Sequence, residues 1–187
     1  MRLNNRLTTS FLFDGVEYPI DLSFDNVLDA LDVLDDKSLR VYEKTDICLT
    51  LLIGDYKHDP IELWNHIYTE FIQSNYEEPI QYDRKGNPVP VVKEEDDEKQ
   101  LYDIVQDAEY IYSSFQQAYG MNLFGMQGKL HWSEFRALLN GLPSETILQR
   151  IIQIRAWKPS KGDSPRDREN MRKLQKVYAL HDGEEVD

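Results

Sequence analysis

Apolar residues recur at three-to-four spacing through most of this chain and alternate with polar ones in only one place. That contrast limits the fold to packed helices carrying a single small ribbon of strand. The alternating stretch comes first. Phe11 and Phe13 flank Leu12, Asp14-Gly15 supplies a turn tolerant of positive φ, and Val16, Tyr18 and Ile20 alternate with Glu17 and Pro19. This pattern predicts a hairpin, with Pro19 placing the return strand at an edge or at its end because proline lacks an amide donor. Two strands alone are marginal in water, so the ribbon has to pack on helices or pair with another chain.

Helical signals follow. Ser23 reads as an N-cap ahead of Phe24, Val27, Leu28, Leu31 and Leu34, with Asp25, Asp29, Asp32 and Asp36 as the wet face. A second helix after Ser38 is expected to carry Val41, Ile47, Leu51 and Leu52 inward before Gly54. The third has the clearest start: Asp59 as cap, Pro60 at the first helical position and Glu62 two further on, leading a stripe of Ile61, Trp64, Ile67, Tyr68, Phe71 and Ile72. A long helix is expected from about 96 to Tyr119, with Leu101, Ile104, Val105, Ala108, Ile111, Tyr112, Phe115 and Tyr119 on its apolar face and Gly120 at its end. Shorter helices follow around Leu130, Phe135, Leu138 and Leu139, stopped by Asn140-Gly141, and around Ile147 to Ile154 with Ser144 as cap. A last one follows Ser164-Pro165 and carries Met171, Leu174, Val177 and Tyr178.

The fold class is therefore mainly α: a helical, bundle-like domain with a small N-terminal β-hairpin. We divide the chain into 1–74 (hairpin plus helices), 75–99 (an acidic, proline-containing linker or insertion with a short strand near Val89–Val92) and 100–187. The last is a helical region with a basic final helix, expected to pack with 1–74 as one domain.

Charge is distributed unevenly. The net charge is −13, yet residues 129–176 carry Lys129, Arg136, Arg150, Arg155, Lys158, Lys161, Arg166, Arg168, Arg172, Lys173 and Lys176 against few carboxylates. An acidic body with a basic section could pair head to tail with its own copies or take an acidic protein surface. The body itself repels nucleic-acid phosphates. The single Cys48 excludes an intramolecular disulfide and suits a reducing compartment. No apolar run reaches the length of a membrane span, and no signal-like segment opens the sequence.

Chemistry-bearing patterns are lacking. His58, His66, His131 and His181 form no close ligand pair with each other or with Cys48, and there is no HExxH or CxxC. Gly120 to Gly128 lacks the Walker lysine and hydroxyl. No catalytic residue, metal ligand or cofactor site is assigned, and no enzyme is expected. Instead, aromatic residues gather between 110 and 135: Tyr110, Tyr112, Phe115, Tyr119, Phe124, Trp132 and Phe135. Tyrosine and tryptophan serve a core rim and an interface hot spot equally well.

Two stretches carry a resemblance. Asp107-Ala-Glu-Tyr-Ile-Tyr-Ser-Ser-Phe-Gln-Gln-Ala-Tyr-Gly-Met-Asn-Leu123 and Lys129-Leu-His-Trp-Ser-Glu-Phe-Arg-Ala-Leu-Leu-Asn-Gly-Leu-Pro143 resemble a family of siphophage proteins, the fifteenth gene product of a Listeria phage among them. The genes of that family lie just ahead of the tail tape-measure gene. The likeness extends over nearly the whole chain, through Ile151-Ile152-Gln153-Ile154-Arg155 to the basic end. It implies a non-enzymatic tail-assembly chaperone that binds and solubilises the tape-measure protein and helps recruit tail-tube subunits. It also implies self-association, in some phages a second chaperone form, residence in the cytoplasm of the infected or lysogenic bacterium, and absence from the mature virion. Interaction candidates are Tyr110, Tyr112, Phe115, Tyr119, Trp132, Phe135, Arg136, Arg155, Arg168, Arg172 and Lys176. The competing classes are a structural head–tail connector or virion component, and a nucleic-acid-associated regulator using the basic C-terminal helix.

Overall fold

A computed structural model describes residues 4–73, 81–82, 88–89 and 101–181. Its elements are β1 (Ser10–Phe13), β2 (Val16–Pro19), α1 (Phe24–Asp35), α2 (Val41–Ile53) and α3 (Pro60–Ile67), which continues as a π-helix over Tyr68–Gln73. Then come β3 (Gln81–Tyr82), β4 (Pro88–Val89), α4 (Ala108–Tyr119), a 3-10 turn (Leu123–Met126), α5 (Trp132–Asn140), α6 (Ile147–Ala156) and α7 (Pro165–Val177). The protein is mainly helical with a small N-terminal hairpin. It divides into two units: Met1–Glu77 with Phe124–Leu138, and Glu78–Leu123 with Leu139–Asp187.

In the first unit β1 and β2 pair antiparallel, Phe11 opposite Tyr18 and Phe13 opposite Val16. Asp14 and Gly15 both take positive φ (46° and 79°), the primed-turn geometry whose twist matches the strands. One face of the ribbon packs on α3 through rings. Phe13 lies 5.2 Å from both His58 and His66, and Phe11 lies 5.6 Å from His66 and 5.3 Å from Phe71 of the π-helix. Tyr18 Oη shares a 2.6 Å hydrogen bond with His58 Nδ1. The cap of α3 is as its sequence predicts: Asp59 Oδ1 accepts from the amides of Ile61 and Glu62, and Pro60 opens the helix.

Helices α1 and α2 bury Phe24, Val27 and Ala30 against Cys48, Leu49 and Leu52. Asn26 Nδ2 donates to the carbonyls of Asp21 and Leu51, tying the start of α1 to the end of α2. The expected inner face of α2 needs correction. Thr45, Cys48, Leu49, Leu52 and Ile53 point inward, whereas Val41, Ile47 and Leu51 are exposed. Two apolar stripes overlap on this helix, and spacing alone does not say which one meets α1. Ile61 is likewise exposed, while Trp64, Ile67 and Ile72 are buried as expected. Ser23 occupies the N-cap of α1 without a side-chain cap bond; its own amide donates instead to Asp21 Oδ1.

The first unit is completed by chain from far downstream. Phe24 N donates to Leu130 O at 2.9 Å and Trp132 N donates to Leu22 O at 2.7 Å, an antiparallel bridge centred on Ser23 and His131. Phe135 then stacks on Phe24 at 5.0 Å and 14°, with Trp132 stacked beside it at 5.7 Å.

In the second unit α4, the end of α5 and α6 bury Ile111, Phe115, Leu139, Leu142, Leu148, Ile151 and Ile152. The helix expected from 96 to 119 begins only at Ala108; residues 101–107 form an extended stretch and a turn, and 96–100 lie outside the described residues. Gly120 ends α4 in the left-handed region (φ 62°), its amide donating to Phe115 and Gln116 carbonyls. Thr146, not Ser144, stands at the N-cap of α6, and Ser114 Oγ accepts from Leu148 N inside its first turn. Ser164 caps α7 by accepting from Asp167 N. Most of the expected 75–99 linker lies outside the described residues, apart from the antiparallel pair β3–β4, which includes Val89 of the expected strand.

Phe135→Ala and Trp132→Ala should each lower unfolding free energy by roughly 3–5 kcal/mol, read from urea midpoints, because both rings are buried in the first unit. Cys48 is wholly buried on α2 with Sγ donating to Ala30 O, and burial raises its thiol pKa to about 11. The raised value means its stabilising share is intact below about pH 9 and is lost as pH rises toward 11. Native protein at pH 8 should therefore resist iodoacetamide and react promptly in urea, followed by mass spectrometry.

Candidate interaction surfaces

Three constellations gather the sequence candidates, and each starts from backbone groups that the local fold leaves without a helical partner. The first is the carbonyl of Ile72, near the end of the π-helix. It accepts from Trp132 Nε1 at 3.2 Å and from Arg136 Nη1 at 2.7 Å. The Arg136 guanidinium also lies 5.8 Å from the Trp132 ring, a cation–π distance. One turn of α5 thus fixes the end of α3's continuation through an indole and a guanidinium. Both side chains are committed within the first unit.

The second constellation is the buried pair Arg155–Asp107 in the second unit. Arg155 Nη1 and Nη2 reach the two oxygens of Asp107 at 2.6 and 2.8 Å, a two-pronged, charge-assisted contact. Asp107 stands before Ala108 yet makes no cap bond to α4; Asp103 N also donates to it, at 3.0 Å. The guanidinium goes further, with Nε donating to Tyr178 O at 2.6 Å and Nη1 to Leu101 O at 3.0 Å. One α6 side chain therefore holds the approach to α4 and the residue that follows α7. Taking Leu101 O and Asp103 N out of helical bonding explains why 101–107 does not extend α4 backward. The sequence pointed to Arg155 but not to Asp107, which the expected 96–119 helix placed in its interior.

The third is α7. No residue of this helix is buried. Its attachment to α6 is mostly polar: Gln175 Nε2 donates to the carbonyls of Ile154, Arg155 and Trp157, and Arg168 Nη2 donates to Ser160 O at 2.6 Å. Gln175 was invisible in the sequence, because an amide that caps a neighbouring helix has no spacing signature. The contact is incomplete: Trp157 Nε1 and Arg168 Nε are buried without a hydrogen-bond partner among the described residues. Arg168, Arg172 and Lys176 are spaced four residues apart along this helix. Arg168 is half-buried toward the Ser160 loop, and Arg172 and Lys176 are exposed.

The aromatic residues grouped in the sequence are parted between the units. Trp132 and Phe135 are buried in the first, and Phe115 in the second. Tyr110 is half-buried with its ring 6.1 Å from Tyr178, Tyr112 is half-buried, and Tyr119 is exposed at the end of α4. Some large apolar side chains open to solvent are ones the sequence had placed inward or left unassigned. Leu12 on the hairpin is 68% exposed, Val41 on α2 72% and Phe124 on the 3-10 turn 70%. Gln149 of α6 is a further surprise: it is wholly buried with neither end of its amide paired among the described residues.

Among the described residues no group of three or more His, Cys, Asp or Glu is placed to hold a metal ion, and no helix is long and apolar enough to cross a membrane. A protein-family model described as Bacteriophage Gp15 protein matches residues 3–180. The chain belongs to that family. No curated protein and no solved structure matches it. The Gp15 family is known generally as one of tail-assembly chaperones. Membership spans both units and takes in all three constellations.

Arg155→Met should lower stability by about 3–5 kcal/mol, because Asp107 would be left buried and charged without its partner. Converting both residues together, Arg155→Met with Asp107→Leu, should recover a substantial part of that loss. Chemical denaturation of the two single variants and the double variant measures the difference.

Proposed function

We propose that this chain binds the phage tail tape-measure protein, keeps it soluble before assembly, and helps bring tail-tube subunits to it. The observation that carries this reading is the family match over residues 3–180. A tape-measure client presents long helices with apolar stripes, and such helices are captured by exposed apolar side chains set among charge. Leu12, Val41, Tyr42 and Phe124 of the first unit supply exposed apolar surface of that kind. The chain's net charge of −13 would keep a loaded complex dispersed. The work is binding and release, with no bond made or broken. It takes place in the cytoplasm of the host bacterium, and the protein leaves before the virion is complete.

Co-expression with the tape-measure protein tests the proposal. The client should become soluble and co-purify with this chain. A client that stays insoluble and unbound overturns the reading, and finding the chain in purified mature particles would place it among structural connectors instead. Leu12→Asp and Phe124→Asp should melt within a few degrees of the parent and co-purify less client, since both side chains are mainly exposed.

A further inference from the structure

The hairpin leaves one edge open to a further strand. Ile20 N donates to Thr9 O at 2.9 Å, so Thr9 and Ile20 form a hydrogen-bonded pair of the antiparallel ladder. Bonded and non-bonded pairs alternate along such a ladder, which makes Ser10–Pro19 and Leu12–Glu17 the non-bonded ones. The backbone amides and carbonyls of Ser10 and Leu12 therefore point away from β2, and among the described residues none of them has a partner. The opposite edge is interrupted at Pro19, which has no amide to donate. Upstream, the open edge stops at Thr8, whose carbonyl is taken by His131 Nε2 at 3.3 Å.

The surroundings of this edge select what fits it. Beneath β1, Phe11 meets His66 and Phe71, and among the described residues Phe71 touches no ring of β2. His66 and Phe71 are half-buried, so an aromatic floor borders the β1 side of the ribbon. The charge nearby is negative. Exposed Glu17 stands opposite Leu12 on the outer face, exposed Glu62 lies one turn before His66 on α3, and Asp14 is in the turn. Carboxylates outnumber cations throughout residues 4–73. An added strand alternates its side chains between floor and solvent. Aliphatic residues suit the rings, and lysine or arginine between them suits the carboxylates.

We propose that β1 receives, as a third strand, an extended segment of a partner protein in which aliphatic and basic residues alternate. Main-chain bonds to Ser10 and Leu12 hold the segment, and the rings and carboxylates choose its sequence. This docking is separate from capture of a helical client by exposed side chains. Co-purification of the tape-measure protein can fail while strand addition stands, and the reverse also holds.

A blocked octapeptide alternating lysine and valine, titrated into the isotope-labelled full chain, tests it. The amide signals of Ser10 and Leu12 should shift saturably and exchange with solvent at least about fivefold more slowly at saturation. Leu12→Pro and Ser10→Pro each remove an outward amide and leave every bonded pair of the hairpin in place, so each should cost about tenfold in affinity. Leu12→Thr keeps the amide and should bind within about threefold of wild type. Glu17→Gln with Glu62→Gln should weaken binding about threefold or more. A peptide with proline in place of valine has the same charge and should not bind. Thermal melts within a few degrees of wild type show which variants are folded, and either proline variant alone reads the edge. Unmoved Ser10 and Leu12 signals, a folded proline variant that binds like wild type, or equal binding of the proline peptide overturns the proposal. So does a wild-type dimer, formed without peptide, that a folded proline variant abolishes, because a second copy then fills the edge.

Discussion

The first unit depends on a short antiparallel bridge between residues 22–24 and 130–132. Without it, α1 and α2 would pack against each other with Phe24 uncovered, and the end of the π-helix would present an unmatched carbonyl. Two backbone hydrogen bonds set the register, and from that register Phe135 reaches Phe24 while Trp132 and Arg136 reach Ile72 O. The backbone bonds are individually modest in net worth, on the order of 1 kcal/mol. Their importance lies in orientation, because a slip of one residue would turn Trp132 away from the Ile72 carbonyl.

The second unit solves a different problem with charge. Arg155 and Asp107 are both nearly inaccessible, and neither would tolerate burial alone. Paired, they hold two otherwise separate pieces of backbone, the segment Leu101 to Asp103 and Tyr178. Helix α7, by contrast, has no buried apolar anchor and relies largely on carbonyls at the end of α6. An element secured in this way is cheap to displace relative to one held by a core ring. The two units thus place rigidity at the aromatic stack and the ion pair, and leave adaptable surface on α7.

Local chemistry made much of this legible from residues alone. The Asp14-Gly15 turn, the Asp59-Pro60 and Ser164-Pro165 helix starts, and the Gly120 stop all depend on a few adjacent residues whose φ preferences and donors are fixed by type. Faces were harder. Helix α2 has apolar residues on more than one side, and only the arrival of α1 chooses among them. The start of α4 was misplaced because Leu101, Ile104 and Val105 continue its periodicity, while the amides of Val105 and Gln106 turn to Asp103 Oδ1 and Leu101 O turns to Arg155, far along the chain. Of the interaction candidates, Trp132, Phe135 and Phe115 are core rings, and Arg136 and Arg155 are spent on internal carbonyls and a carboxylate. Solvent-facing surface instead includes Leu12, Val41 and Phe124, which no periodicity distinguishes from residues meant for the interior.

The bridge also sets a timetable for synthesis. Asp25 and Gly128, bonded in the finished first unit, lie 103 positions apart. A ribosome adding ~5–20 residues per second leaves about 5–20 s between their emergence. For most of that interval α1 and α2 are out, but the aromatic rings that cover Phe24 have not been made.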